Sequence, residues 1–427
     1  MDYSLSCDFV NMLCYRQESS VCPDGGTADG WRTVWTEYGR RIAMNFKELY
    51  QPVHTIIGEG CINEIPRHVD HFGGKKALIV TDEGLVQIGT VKMVTDVLDK
   101  AGRPYAIFSD VKPNPTVSIV NQAKAAYDRE NCDYIIGIGG GSPIDVAKAV
   151  SILATNGGKI EDYNGLELSE KKGQPLIAVN TTAGTGSEVT RAFVVTDEVR
   201  KSKMLMVDSN SLAYLAVNDP TMMVGMPPAL TAATGMDALT HAIEAYVANS
   251  RCPFTDGIAL EAIRLIGQYL ERAVKDGTDM EARTNMCWAQ YMGGLAFSNA
   301  GLGMVHAMAH QLGGFYDTLH GVANAILLPY VMKYNLPSCP ERYADVAQTF
   351  GFDVSKLTKT QAAYAAILYI EELEKTIGIP KLSDTAFKPA DVEELSKNAM
   401  KDTGMPENPR KATVEDVEKV FLNAYFA

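Results

Sequence analysis

The chain reads as an α/β half built on a parallel, Rossmann-like sheet, followed by an all-helical half. Three observations predict this. Short apolar runs alternate with helical stretches up to about residue 220, and two of the runs end in glycine-rich turns. Beyond residues 220–228 strand signals nearly vanish, and Ala- and Leu-rich helical periodicity takes over. A length of 427 residues exceeds one ordinary domain, and 46% hydrophobic against 21% charged residues leaves ample material for a core.

Taken in order, residues 1–43 stand apart as an accessory extension. They hold Cys7, Cys14, Cys22, Trp31 and Trp35 and show no clear periodicity; a natural start at Met44 is the alternative. They lack the basic region and apolar run of an export signal. The α/β domain is expected over 44–223. Ala77–Val80 is a buried strand, Val91–Ala101 a helix and Tyr105–Phe108 the next strand. Pro113-Asn114-Pro115 breaks the chain before a helix through Ala123 and Tyr127. Tyr134–Ile138 and Leu176–Val179 are further strands, and Phe193–Thr196 with Met204–Val207 forms an appended hairpin. Strands separated by helices imply parallel pairing. Within 224–427, Ala229–Ala248, Asp256–Lys275, Ala282–Ala296 and Ala363–Ile377 have helical spacing.

Two loops suit a dinucleotide. In Gly139-Gly-Gly-Ser-Pro-Ile-Asp145 a strand gives way to a helix, and bare glycine amides at a helix N-terminus attract a pyrophosphate. Ser142 suits the N-cap and Pro143 the first helical position. The pattern is not GxGxxG, and a tight turn without a ligand is the bland alternative. Asn180-Thr-Thr-Ala-Gly-Thr-Gly-Ser187 follows the fourth strand at the same carboxyl edge, where open parallel sheets bind ligands. Asp82, at the tip of the first strand, is either a turn aspartate or an acceptor for ribose hydroxyls. In the second role its charge would repel the 2′-phosphate of NADP and favour NAD.

The helical half carries a metal-like constellation. Four of the seven histidines fall between His241 and His320. Asp237 and His241 are four apart, as are His306 and His310, which places each pair on one helix face. One histidine on an apolar helix is more often a core residue than a ligand; this clustering favours ligation of a divalent metal. Ligand type alone does not separate iron from zinc. A metal beside a nicotinamide would polarise an alcohol or carbonyl oxygen for hydride transfer.

Composition narrows the alternatives. A formal net charge of -13 repels nucleic acid and anionic membranes. No apolar run approaches the roughly 20 residues a bilayer crossing needs. None of the eight cysteines forms a CxxC pair, so free thiols and a cytoplasmic setting are expected.

From about Met44 to Tyr425 these segments resemble the iron-dependent, group III alcohol dehydrogenase family. Its members include 1,3-propanediol dehydrogenases, lactaldehyde reductases and bacterial iron-containing alcohol dehydrogenases. The resemblance rests on the two loops above, extended to Glu188-Val-Thr190, and on Leu230-Thr-Ala-Ala-Thr-Gly-Met-Asp-Ala-Leu-Thr-His-Ala-Ile-Glu-Ala-Tyr246. It rests also on Val305-His-Ala-Met-Ala-His-Gln-Leu-Gly-Gly-Phe-Tyr316 and His320-Gly-Val-Ala-Asn-Ala325. It implies a dehydroquinate synthase-like helical domain and NAD-linked interconversion of a small primary alcohol or diol and its aldehyde. The implied iron ligands are Asp237, His241, His306 and His320, with zinc in some relatives of similar fold. The implied proton-transfer residue is His310, beside the nicotinamide. Implied coenzyme residues are Asp82, Asn114, Gly140, Gly141, Ser142, Asp145, Thr181, Thr182, Thr185 and Lys203. The substrate pocket is placed around Ala192, Phe193 and Phe297, and a homodimer or higher homo-oligomer is implied. Rival readings are a glycerol dehydrogenase-like zinc enzyme, a 3-dehydroquinate synthase and a non-catalytic paralogue.

Overall fold

The computed structural model describes residues 47–200 and 202–427; the expected extension over 1–43 lies outside the described residues. The α/β half begins with β1 (His54–Ile57), α1 (Ile65–Phe72), β2 (Ala77–Val80), α2 (Glu83–Gln87) and α3 (Thr90–Lys100). It continues through β3 (Tyr105–Phe108), α4 (Val117–Arg129), β4 (Tyr134–Gly139), α5 (Gly141–Asn156), β5 (Gly165–Leu166) and β6 (Leu176–Asn180). It ends with β7 (Ala192–Asp197), β8 (Ser202–Val207) and β9 (Leu215–Asn218).

Six strands form one sheet in the order β1-β9-β6-β4-β2-β3, and every pairing is parallel. Strands β2, β4, β6 and β9 are buried along their whole length, because helices cover both faces. The pleat divides the strand side chains between two cores. Leu78 and Val80 enter one, Ala77 and Ile79 the other. Gly139 of β4 lies in register with Asn180 of β6, so the two glycine-bearing loops leave the sheet side by side. That is the edge where such sheets take ligands.

The expected hairpin is β7 paired with β8, and β5 joins it to make a small three-stranded sheet. Strands β1 and β9 escape the sequence reading. Each has only four residues and pairs across a separation that no local pattern reports.

The helical half comprises α6 (Pro228–Val247), α7 (Pro253–Lys275), α8 (Met280–Ala300), α9 (Met304–Tyr316) and α10 (His320–Asn335). Four more follow: α11 (Pro340–Thr349), α12 (Lys359–Ile377), α13 (Val392–Ala399) and α14 (Val414–Tyr425). Helix α6 is its axis, buried at every position from Thr231 to Val247. It is buried on every side although it carries Asp237, His241 and Glu244, and its alanines let neighbours approach closely. At the start of α10, a Cβ on Gly321 would fall inside the backbone carbonyl of Ala233 on α6. Only glycine lets these two helices meet there. No helix among the described residues is long and apolar enough to cross a membrane.

Gly321→Ala is therefore expected to destabilise the fold by about 1–3 kcal/mol, the range for overpacking. Urea unfolding measures it; an unchanged free energy would show that α6 and α10 separate freely.

Candidate active site

Four side chains from three helices converge. Asp237 and His241 come from α6, His306 from α9 and His320 from the first position of α10. One ligand atom from each lies within 4.8 Å of the other three. Asp237 Oδ1 is 3.8 Å from His241 Nε2, 3.8 Å from His306 Nε2 and 3.6 Å from His320 Nε2. Asp237, His241 and His306 are buried, while the His320 side chain is 41% exposed and forms the open side of the cluster. Burial opposes charge on Asp237, yet the imidazoles and the Asn324 amide hold its carboxyl below the ordinary range. Burial drives His306 well below its usual range, so it is the neutral imidazole a metal ligand must be.

Three polar side chains given no role by the sequence reading brace the site, Glu244 and Asn324 at the cluster and Asp402 at His310. Glu244 accepts from His306 Nδ1 at 2.6 Å and from the Val305 N–H at 2.7 Å, which turns the His306 Nε2 lone pair towards the others. Burial pushes the Glu244 carboxyl up to about 7, against the backbone N–H groups of Gly303, Val305 and His306. Asn324 Nδ2 donates to Asp237 Oδ1 at 2.7 Å and lies 3.0 Å from His306 Nε2 and 3.1 Å from His320 Nε2. Asp402 accepts from His310 Nδ1 at 2.8 Å. Glu244 was detectable, since Asp237, His241 and Glu244 follow i, i+4, i+7 on one helix face. Asp402, in a loop 92 residues from its partner, gave no local signal.

His310 stands outside the four-residue group. Its ring stacks on His320 at 5.5 Å and 17°, and with Nδ1 held by Asp402 its available nitrogen is Nε2. Phe297 stacks on His241 with ring centroids 4.2 Å apart. Phe193, expected to line the substrate pocket, is instead buried in the α/β core, since its position on β7 points it at the sheet. Ala192 is partly exposed, and its carbonyl accepts from Lys148 Nζ at 2.8 Å.

On the coenzyme side the helix begins earlier than expected. Gly140, not Ser142, is the N-cap of α5, and no side chain caps it. Ser142 and Pro143 fall inside the first turn, where the missing proline N–H is still harmless. Gly139 has φ 153°, and a Cβ there would meet Pro143 at 2.5 Å, so only glycine serves. A Cβ on Gly140 would reach Thr182 at 3.0 Å, which makes a shallow cradle between the two loops. Thr181 donates its N–H to the Gly139 carbonyl, Thr182 donates its N–H to Asn180 Oδ1, and Thr185 Oγ1 accepts from Ser187 N.

Asp145, near the start of α5, makes protein contacts of its own. It is half-buried, accepting from Ser187 Oγ at 2.9 Å and from the Val194 N–H at 3.1 Å, which ties the start of α5 to the threonine-rich loop and to β7. Desolvation raises its carboxyl to about 6 and lowers the fully buried Lys148 to about 8, each pulled back by the other. Asp82 N-caps α2 through the Leu85 N–H at 2.9 Å. Lys203 Nζ donates to Asn114 Oδ1 at 3.0 Å, with Asn114 at φ 53°.

Comparison with known proteins decides the family. Residues 52–220 match the model described as iron-containing alcohol dehydrogenase, and 231–425 match the C-terminal model of the Fe-containing alcohol dehydrogenase family. The chain belongs to the iron-containing alcohol dehydrogenase family. Alcohol dehydrogenase 4 of Schizosaccharomyces pombe is 46% identical over 90% of each chain. The NAD-dependent methanol dehydrogenase of Bacillus methanolicus is 44% identical over 87% of this chain and 98% of its own. The crystal structure of a 1,3-propanediol oxidoreductase superposes with a TM-score of 0.88 at 44% identity, covering 89% of this chain and all of that one.

For an iron-containing alcohol dehydrogenase the donor set fits a divalent cation. Ligand atoms about 2.1 Å from one tetrahedral ion sit about 3.5 Å apart, close to the 3.6–3.8 Å separations from Asp237. The glycine cradle at an uncapped helix start fits a dinucleotide.

Glu244→Ala should weaken metal binding about 10–100-fold, with a smaller loss in Glu244→Gln, which keeps an acceptor for His306. Equilibrium dialysis with Fe²⁺ checks this. Wild-type affinity in Glu244→Ala would show that His306 orients itself.

Proposed function

We propose that this chain transfers a hydride between NAD(H) and a small primary alcohol or diol, or the corresponding aldehyde. The observation that carries the proposal is the contact between coenzyme loop and metal helix. A Cβ on Gly184 would meet Thr234 Cβ at 2.6 Å, and Thr234 lies one turn before Asp237 on α6. Held by Asp237, His241, His306 and His320, iron would supply Lewis acidity at the substrate oxygen, with NAD as the hydride partner.

The remaining roles belong to the chain itself. Gly140, Gly141 and Ser142 offer backbone N–H groups to the pyrophosphate, beside the positive end of α5. Thr181, Thr182 and Thr185 line the opposite wall. Asn114 and Lys203 act as a joined pair. Asp82 keeps Oδ2 for the ribose hydroxyls while Oδ1 caps its helix. His310 moves the proton at Nε2, with its other nitrogen fixed by Asp402. Phe297 supplies an apolar wall beside His241.

This reading assigns coenzyme binding to 44–223 and metal binding to 224–427, with 1–43 as an accessory extension. The acidic chain and the free thiols at Cys61, Cys132, Cys287 and Cys339 support a cytoplasmic setting. Resemblance supports a homodimer or larger homo-oligomer, which sedimentation of the full chain tests.

His320→Ala should lose metal and nearly all NADH formation with a primary alcohol, measured by metal analysis and absorbance. Undiminished turnover in a metal-depleted preparation would end the metal assignment. Asp82→Gly should shift the NAD/NADP ratio of kcat/KM towards NADP; an unaltered ratio would place selection elsewhere. Anaerobic purification followed by metal analysis distinguishes iron from zinc.

A further inference from the structure

One face of α8 touches both halves of the site. Gln290, Gly294 and Phe297 follow i, i+4, i+7 and therefore share a side of the helix. At one end Gln290 is fully buried, and its amide reaches two partners on the α/β half. Nε2 donates to Glu188 Oε1 at 2.9 Å and to Asn218 Oδ1 at 2.9 Å. Asn218 Oδ1 also accepts from Asn180 Nδ2 at 3.1 Å, and Asn180 Oδ1 accepts the Thr182 N–H at 3.0 Å. Asn180 and Glu188 bracket the threonine-rich loop. Gln290 thus holds one end directly and the other through a single intermediary.

The middle of that loop sits on Gly294. A Cβ on Gly294 would lie 2.9 Å from Gly186 Cα and 3.0 Å from Val189 Cγ2, and one on Gly186 would lie 2.6 Å from Gly294 Cα. Gly186 has φ 59°, so its backbone is also confined to a shape that favours glycine. Helix and loop meet backbone to backbone, with no room for a methyl group. At the far end Phe297 stacks on His241, a member of the metal cluster. The helix is long and continuous, so these three contacts lie at fixed separations along it.

We propose that the Gln290–Gly294–Phe297 face of α8 is a rigid strut setting the position of the coenzyme loop relative to the metal cluster, with Gln290 and Gly294 as positioning residues for the dinucleotide. The inference rests on the coenzyme and metal assignments made above. Neither residue contacts a ligand atom of the cluster. Their effect reaches the coenzyme through the loop backbone that carries Thr181, Thr182 and Thr185. A methyl group on Gly294 must push the loop outward or bend the helix, although alanine is the better helix former.

The test uses the full-length, iron-loaded protein and three variants: Gly294→Ala, Gln290→Met and Gly140→Val. NADH affinity is read by fluorescence, iron per chain by metal analysis, and folding by circular dichroism. Gly294→Ala and Gln290→Met should each raise the NADH Kd at least tenfold while iron per chain stays at the wild-type level. A folded variant of either kind binding NADH within twofold of wild type overturns the strut, and if one fails to fold the other decides. Gly140→Val separates the two levels of the argument, because it alters the cradle itself. If it abolishes NADH binding while the α8 variants bind normally, the strut alone is wrong. If it too binds normally, the coenzyme assignment fails and the strut with it.

Discussion

A buried carboxylate ringed by three imidazoles governs the helical half. Asp237 is 2% exposed, and a lone negative charge at that depth is not tolerated without compensation. Neutral histidines do not cancel it; a cation does. Glu244, equally deep behind His306, brings a second carboxylate to the same few ångströms. With its carboxyl raised to about 7 by burial, Glu244 orients His306 rather than balancing a full charge, and the imidazoles complete a divalent cation's shell around Asp237. The packing follows from that demand. Helix α6 has to sit in the middle, α9 and α10 have to reach it, and small residues such as Gly321 permit the approach.

The coenzyme side is organised differently, by polar groups that turn their backs on the ligand. Half-buried Asp145 and fully buried Lys148 tie the loop after β6 and the start of β7 to α5 through Ser187, Thr190, Ala192 and Val194. The glycines between them leave the backbone bare where a phosphate would approach. Rigidity thus comes from buried side chains, which leaves the backbone of the glycine turn for the proposed dinucleotide.

The sequence made the central strands legible, because doubly covered strands are short unbroken apolar runs such as Leu78-Ile79-Val80 and Ile135-Ile136. The cluster was legible for another reason: histidines are scarce, and Asp237/His241 and His306/His310 stand out at i,i+4 spacing, whereas the choice of His320 over His310 as a ligand came from the family resemblance. Strands β1 and β9 were hidden because their evidence is their pairing, with partners 161 residues apart in the β1–β9 ladder and 38 apart between β6 and β9. The N-cap was misplaced at Ser142 because the helix starts at Gly140, a shift that glycine permits and no residue pattern announces. Asp402 and Gln290 act across the fold on partners 92 and 102 residues away, beyond any periodicity.

The wiring of the metal centre also bears on the order in which the molecule is born. Asp237 and His241 emerge from the ribosome long before Asp402 and Asn408, yet Asn408 accepts the Met304 N–H at the head of α9. Its backbone carbonyl holds Asn249 just beyond α6, while Asp402 secures His310. The helix bearing two of the site's histidines is therefore fastened only after almost the whole chain has been synthesised. Helix α9, which carries one ligand and His310, thus gains its full set of contacts only once residues 402–408 have been made, whereas Glu244 and Asn324 are in place much earlier.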